Sequence, residues 1–285
     1  MTLIIDYLCN GFLPSASEAW QRSIEAQGLS LKIRQNPDDG FCDPATLVER
    51  MDALGISALQ IVMSDEQHHH GAFNFSDVTA RFDEVSDLVR SYPSRFFGLW
   101  CFDANSGIAG VERAREVLGN DWVVGLYNHV HSWDRPFDHA DFYPYYTLAS
   151  ELDVPVVMQA GTSGGLVPSE CGHPIGVDRP AIYFPTVRFV LSHTGWPWVD
   201  EAIAMALKFP NVFLGTAAYP ARHWSSSLVE FLRGPGRTKT LFGTNFPTVG
   251  HRNALEQVSE LDLTDQTRVD YLGGTARRVF SRLPC

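Results

Sequence analysis

Residues 187–216 read VRFVLSHTGWPWVDEAIAMALKFPNVFLGT, and this stretch decides the fold. It opens on a short apolar run, VRFVLS, and closes on a second, NVFLGT. Between them, WVDEAIAMALKF carries Val199, Ala202, Ile203 and Ala206 at spacings of three and four, the mark of a helix packed along one face. Strand, helix, strand in so short a span is the unit that builds parallel sheets. His193 stands directly after the first run, at its carboxyl end.

The same alternation extends in both directions. Six further strand-like runs are LIID (3–6), ALQIVM (58–63), FFGLWC (96–101), WVVGLY (122–127), VPVVMQ (154–159) and KTLFGT (239–244). Helical spacing fills 44–55, 76–92, 108–118 and 141–152 between them. Asp43–Pro44 and Ser76–Asp77 read as helix starts, and Gly55 as a helix end. Residues 263–283 read as a closing helical cap. Eight runs alternating with helices predict an α/β fold, a (β/α)8 TIM barrel that takes the whole of 1–285 as one domain. Chemistry in such a barrel gathers at the carboxyl ends of the strands. The residues just past each run there are polar and rich in histidine.

Composition narrows the function. A chain of 285 residues with 45% apolar content can fill a complete barrel core. The net charge is −11, from 22 basic and 33 acidic residues with no basic cluster, which argues against nucleic acid as a partner. No apolar stretch reaches the roughly 18 residues of a membrane span, and the start lacks the basic opening of a signal peptide. Cys9, Cys42, Cys101, Cys171 and Cys285 are scattered without C-x-x-C spacing, so reduced thiols and a cytoplasmic setting are expected. The seven tryptophans and eighteen phenylalanines suggest an aromatic-walled pocket for a small molecule.

Four stretches fall in order along the chain: LDVPVVMQAG (152–161), RFVLSHTGWPWVDEAIAMALKFPNVFL (188–214), KTLFGTNFP (239–247) and YLGGTARRVF (271–280). Together they resemble the amidohydrolase superfamily, in particular its amidohydrolase-related, decarboxylase-like branch. The resemblance runs from the first strand to the last helix and implies a barrel of the amidohydrolase type. In metal-dependent members an H-x-H pair ends strand one, single histidines end strands five and six, and an aspartate ends strand eight. Those places fall here on Leu8, Asn10, Gln159, His193 and Asn245, so only His193 is kept. Thr275 replaces a usual asparagine in the C-terminal signature. Leucine ligates nothing, and neutral carboxamide oxygens suit zinc poorly. The change to Asn245 also removes the negative charge that would offset a dication. The expectation is therefore an enzyme without catalytic metal or cofactor.

His193 is the expected acid/base, because imidazole titrates near neutrality. Residues two apart on a strand share a face, so Asp6, Leu8 and Asn10 should point together, with Asp6 orienting His193 or acting as a base. Asn10, Gln159 and Asn245 would form a ring of carboxamides able to hold a carboxylate or a developing oxyanion. Tyr127, His129, His131, His68, Trp196 and Tyr219 complete the expected substrate-binding set. The pair His129-x-His131 also has the spacing of relocated metal ligands, but no third ligand accompanies it. Cys9 alternates with Leu8 and Asn10 and is expected to face the helices as a structural thiol.

Two functional classes follow. The first is a metal-independent hydrolase or lyase of decarboxylase type, acting on a small polar carboxylate- or carbonyl-bearing molecule. The second is a non-catalytic paralogue that binds a ligand or stabilises an active homologous subunit. Related barrels commonly pair, so a homodimer, or a heteromer with a related subunit, is expected in either case.

Overall fold

A computed structural model describes residues 3–28, 39–65, 69–70 and 73–284. Its centre is a parallel eight-stranded sheet: β1 (Ile4–Cys9), β2 (Ile56–Met63), β3 (Phe96–Cys101), β4 (Val123–Asn128), β5 (Val156–Gln159), β6 (Phe189–Ser192), β7 (Val212–Gly215) and β8 (Thr240–Leu241). The strands pair in chain order. The last returns to the first through Tyr7 N to Phe242 O (3.1 Å), Asn245 N to Leu8 O (2.9 Å) and Asn10 N to Phe246 O (2.7 Å). All eight apolar runs of the sequence are strands of this barrel.

The main helices are α1 (Pro14–Ala26), α2 (Pro44–Leu54), α3 (Phe82–Ser91), α4 (Gly107–Leu118), α5 (Tyr143–Glu151), α6 (Asp178–Tyr183), α7 (Val199–Lys208), α8 (Ser226–Arg233) and α9 (His251–Glu260). Helix α2 begins and ends on its sequence signals. The Asp43 carboxylate accepts from Thr46 N at 3.0 Å, and Gly55 takes the left-handed conformation at φ 70°. The expected start at Ser76–Asp77 is a different structure. There the Asn74 side chain accepts from Ser76 N at 3.1 Å and closes a single 3₁₀ turn, Phe75–Asp77. Helix α3 begins only at Phe82, where the Glu84 carboxylate accepts from Arg81 N at 2.9 Å. The closing segment is helical in three consecutive pieces from Asp265 to Val279, as the sequence suggested.

Because helices cover the outside, both faces of every strand are buried, and alternate residues enter two separate cores. Ile5, Val62, Leu99, Val124, Val157 and Val190 fill the barrel interior. Leu59, Phe96, Leu126, Met158, Leu191 and Leu214 face the helices. Tyr7 lies across the interior, and a Cβ on Gly215 or Gly243 would run into its ring.

Strand β1 breaks this alternation. Asp6 is opposite Leu59 and Cys9 is opposite Ile61, so Tyr7 and Leu8 together face one residue of β2. This is a β-bulge, and it shifts the side-chain parity downstream of it by one. Tyr7 and Leu8 both enter the interior core. Asp6 and Cys9 lie on the helix side, and burial pushes the Cys9 thiol well above its ordinary range. The expectation that Asp6, Leu8 and Asn10 share one face is therefore corrected: a regular strand was assumed where a bulge stands.

Candidate functional site

A cavity of about 410 Å3 opens at the carboxyl ends of the strands, within the range of small-molecule sites. Asn10, Gln159, His193 and Asn245 form its polar floor, and Tyr127, His129 and Tyr219 stand in its walls. These seven come from β1, β4, β5, β6, β7 and β8 or from the turns after them, so the barrel brings together residues up to 235 positions apart. None of the described lining residues carries a full charge; there is no Asp, Glu, Lys or Arg.

The floor is an oriented set of hydrogen-bonding groups. The Tyr127 hydroxyl donates to Gln159 Oε1 at 2.7 Å, which leaves Gln159 Nε2 as an unspent donor. Asn10 Nδ2 donates to Asn245 Oδ1 at 2.8 Å, which leaves Asn10 Oδ1 as an unspent acceptor. Asn245 Nδ2 in turn reaches Thr248 Oγ1 at 3.3 Å. His193 Nδ1 meets Ser192 Oγ at 2.8 Å, and Nε2 has no partner among the described residues. Burial, with a smaller push from His131, holds the His193 imidazole down to about 3. Where the sequence suggests titration near neutrality, burial instead favours the neutral ring of His193.

The backbone under this floor is strained. His193 (φ 60°), Ala218 (φ 70°) and Asn245 (φ 58°) all hold left-handed conformations that non-glycine residues avoid, and all three line the cavity. Each costs on the order of 1–3 kcal/mol and persists only where neighbours over-determine it. For Asn245 the determinants are visible. Its N–H is spent on Leu8 O, and the residue before it, Thr244, is tied by backbone and hydroxyl to the Asp6 carboxylate.

The walls are aromatic. Phe75 stacks on His129 with ring centres 3.9 Å apart and also lies parallel to Tyr127 at 5.9 Å. The His129 Nδ1 to Ser132 Oγ contact of 2.6 Å fixes that ring's rotation. Phe73 and Phe75 belong to a short excursion after β2, in which His69–His70 pairs with Phe73–Asn74. Trp20 and Ile24 of α1 close the side facing them. Sequence reading missed these four, because a lone aromatic in a loop or on a helix has no periodicity that separates wall from core.

Four expected residues stand elsewhere or lie beyond description. Asp6 is fully buried on the helix side and saturated: it accepts from Leu8 N (3.1 Å), Thr244 N (3.1 Å), the Thr244 hydroxyl and His251 Nε2 (3.0 Å). It reaches neither His193 nor the cavity, because it alternates with Ile5 and Tyr7, which both point into the interior. His131 is buried behind the wall, with Nε2 at 2.9 Å from Gly161 O, and burial holds it down to about 4. A neutral buried imidazole spent on a carbonyl is a packing element. Trp196 stands half exposed in a neighbouring pocket. His68 falls outside the described residues.

A dication does not fit the floor. Leu8 is sealed in the interior core, Asn245 Oδ1 is already spent on Asn10, and no carboxylate lines the cavity among the described residues. The His129–His131 pair does not serve either, since neither histidine belongs to a group of three ligating side chains among the described residues. Asp6, Cys9 and His251 do cluster, with ligand atoms within 4.8 Å of one another. Yet Asp6 already accepts four hydrogen bonds, and the Cys9 thiol is held protonated, so the cluster is a buried hydrogen-bonded lock.

Comparison with known proteins adds the kinship. A sequence model of the amidohydrolase family matches residues 33–282. No curated protein matches the chain. Among solved structures, an uncharacterised TIM-barrel protein from Bordetella bronchiseptica is similar at TM-score 0.76 and 19% identity, covering 98% of this chain and 99% of the other. A 5-carboxyvanillate decarboxylase from Novosphingobium aromaticivorans, complexed with manganese and 4-hydroxy-3-methoxy-5-nitrobenzoic acid, is similar at TM-score 0.70 and 15% identity, covering 98% and 96%. A 2,6-dihydroxybenzoate decarboxylase from Rhizobium is similar at TM-score 0.67 and 13% identity, covering 99% of each.

Proposed function

The chain belongs to the amidohydrolase family, and from that premise we propose that it is a metal-independent hydrolase or lyase acting on a small, planar molecule that carries a carbonyl or a single carboxylate. The observation that carries this reading is the uncharged, oriented floor: one neutral histidine among three carboxamides whose free atoms are set by their partners. A charge-free floor that offers a free donor beside free acceptors favours a polarised carbonyl or a monoanion over a polyanion. Parallel rings at Phe75, His129 and Tyr127 favour a flat ligand. The benzoic-acid compounds of the two decarboxylases above are flat in the same sense, which supports the reading by analogy of fold alone.

In this scheme Gln159 Nε2 and Asn245 hold the substrate oxygen, and Asn10 Oδ1 fixes a neighbouring hydroxyl or N–H. His193 Nε2 accepts a proton from water or from the substrate. An imidazole held near 3 by burial is a weak base alone, but an anionic group bound beside it raises its affinity for the proton. Acid–base competence is then linked to occupancy of the site. The strained backbone under His193, Ala218 and Asn245 favours a working site over a non-catalytic scaffold. The scattered cysteines without C-x-x-C spacing support a reducing, cytoplasmic setting, and pairing with a second copy is proposed with it.

The test is a panel of aromatic monocarboxylates and cyclic esters, assayed on protein purified without added metal and then exhaustively dialysed against chelator. Turnover should persist, with metal well below stoichiometric, and His193→Ala should lower kcat by about 10²–10⁴-fold. Stoichiometric metal, loss of turnover with chelator, or an undiminished rate in His193→Ala would each defeat the proposal.

A further inference from the structure

Beside the main cavity, and sharing Tyr219 with it, lies a second pocket of about 240 Å3. Trp196, Tyr219 and Trp224 supply three aromatic side chains to its lining, and Asp200 supplies a carboxylate. The Trp196 and Tyr219 rings are 6.0 Å apart and inclined at 38°, an open angle rather than a closed stack. Trp224 is held in place by its indole N–H, which donates to Tyr219 O at 2.8 Å, and by an edge-on contact with Tyr271. Asp200 is exposed in the first turn of α7, and its carboxylate has no hydrogen-bond or ion-pair partner among the described residues. No Lys or Arg stands among the lining residues. The remaining titratable group there, His223, accepts from Arg222 Nε at 3.2 Å through its Nε2.

Aromatic faces carry partial negative charge and attract a cation within about 6 Å of the ring centre. The three aromatic side chains suit an alkylated ammonium, which makes cation–π contacts without needing hydrogen-bond acceptors, while Thr194 and Ser225 add polar groups to the lining. The unpaired Asp200 supplies the matching charge, and the chain's net charge of −11 favours approach of a cation. We propose that this pocket, formed by Trp196, Tyr219, Trp224 and Asp200, binds a small quaternary or alkylated ammonium group. The site shares only Tyr219 with the main cavity and does not depend on the reaction assigned there. A substrate or effector with a trimethylammonium head is the ligand class it fits.

The experiment is a calorimetric titration of the full chain with choline, and with 3,3-dimethylbutan-1-ol as the uncharged isostere. Choline should bind saturably and at least about tenfold more tightly than the isostere, as expected for a desolvated cation over aromatic rings. Asp200→Asn and Trp196→Ala should each weaken choline about tenfold. Both residues are exposed, so circular dichroism should show the fold intact. Asn245→Ala, which alters only the main cavity, should leave choline binding unchanged. Absence of saturable binding, equal binding of the isostere, or insensitivity to Asp200→Asn would overturn the proposal. Loss of binding in Asn245→Ala would overturn it too, by moving the ligand to the main cavity.

Discussion

At the scale of single residues, burial has decided the protonation states that chemistry must use. Unfolded, His131 and His193 would titrate near 6.5, whereas folded they are held to about 4 and about 3. Both groups therefore bind fewer protons in the native state. Their contribution to stability is complete above the unfolded value and is lost as pH falls from about 6.5 toward the folded values. Urea unfolding at pH 7 and pH 4.5 should differ by on the order of 2–3 kcal/mol for each buried imidazole. His131→Gln, which keeps a donor for Gly161 O, should remove its share of that slope. An unchanged slope in the variant would assign the pH dependence elsewhere. The candidate floor residues were legible in the sequence, since each follows an apolar run at a strand's carboxyl end. Their protonation and hydrogen-bond orientation were not, because these depend on burial, on Tyr127 arriving from another strand, and on turns that bring Ser192 and Thr248 onto the side chains of His193 and Asn245.

At the scale of elements, the bulge in β1 does the sorting. By placing Tyr7 and Leu8 together in the interior, it parts Leu8 and Asn10 from the outward face of Asp6, whose carboxylate joins β1 to the segment after β8 and to α9. His251 stacks on Phe246 at 4.4 Å while its Nε2 meets Asp6, so one side chain serves both contacts. Removing His251 takes one of four hydrogen bonds from the buried Asp6 carboxylate, which keeps the other three, and a hydrogen bond to a charged group contributes about 1.5–3 kcal/mol. His251→Ala should therefore lower the free energy of chemical unfolding by about that amount. Because Thr244 precedes Asn245, turnover should fall in the same variant beyond what the lost native fraction explains. A loss below about 1 kcal/mol would show that Asp6 is satisfied without His251. Similarly, Gly215→Ala puts a methyl against the Tyr7 ring and should cost about 1–3 kcal/mol by overpacking, read in the same unfolding assay.

At the scale of the molecule, the cavity is closed by segments with no strand between them. Helix α1 presents Trp20 and Ile24 to it, and Gln27 just beyond that helix accepts from Leu166 N at 2.8 Å with its Oε1, tying α1 to the loop after β5. Trp20→Ala should raise KM several-fold once a substrate is found, and lower stability only modestly, because the ring lines the cavity and is partly buried against the edge of the interior core. A collapse of stability in that variant would make α1 part of the core instead. No helix among the described residues is long and apolar enough to cross a membrane.

The sequence by itself determined the barrel. Eight apolar runs separated by helical patterns leave few other ways to bury two faces of every strand, and hydrophobic period is a local property that needs no partner to be read. It also determined which residues follow each run, and hence the seven that meet at the cavity. Tertiary structure alone decided that Asp6 serves as a lock, that His131 is packing, and that Trp196 belongs to a second pocket. Those outcomes turn on a one-residue bulge, on desolvation, and on contacts between chain segments far apart. None of these leaves a local pattern, because each arises only when distant surfaces are brought within hydrogen-bonding distance.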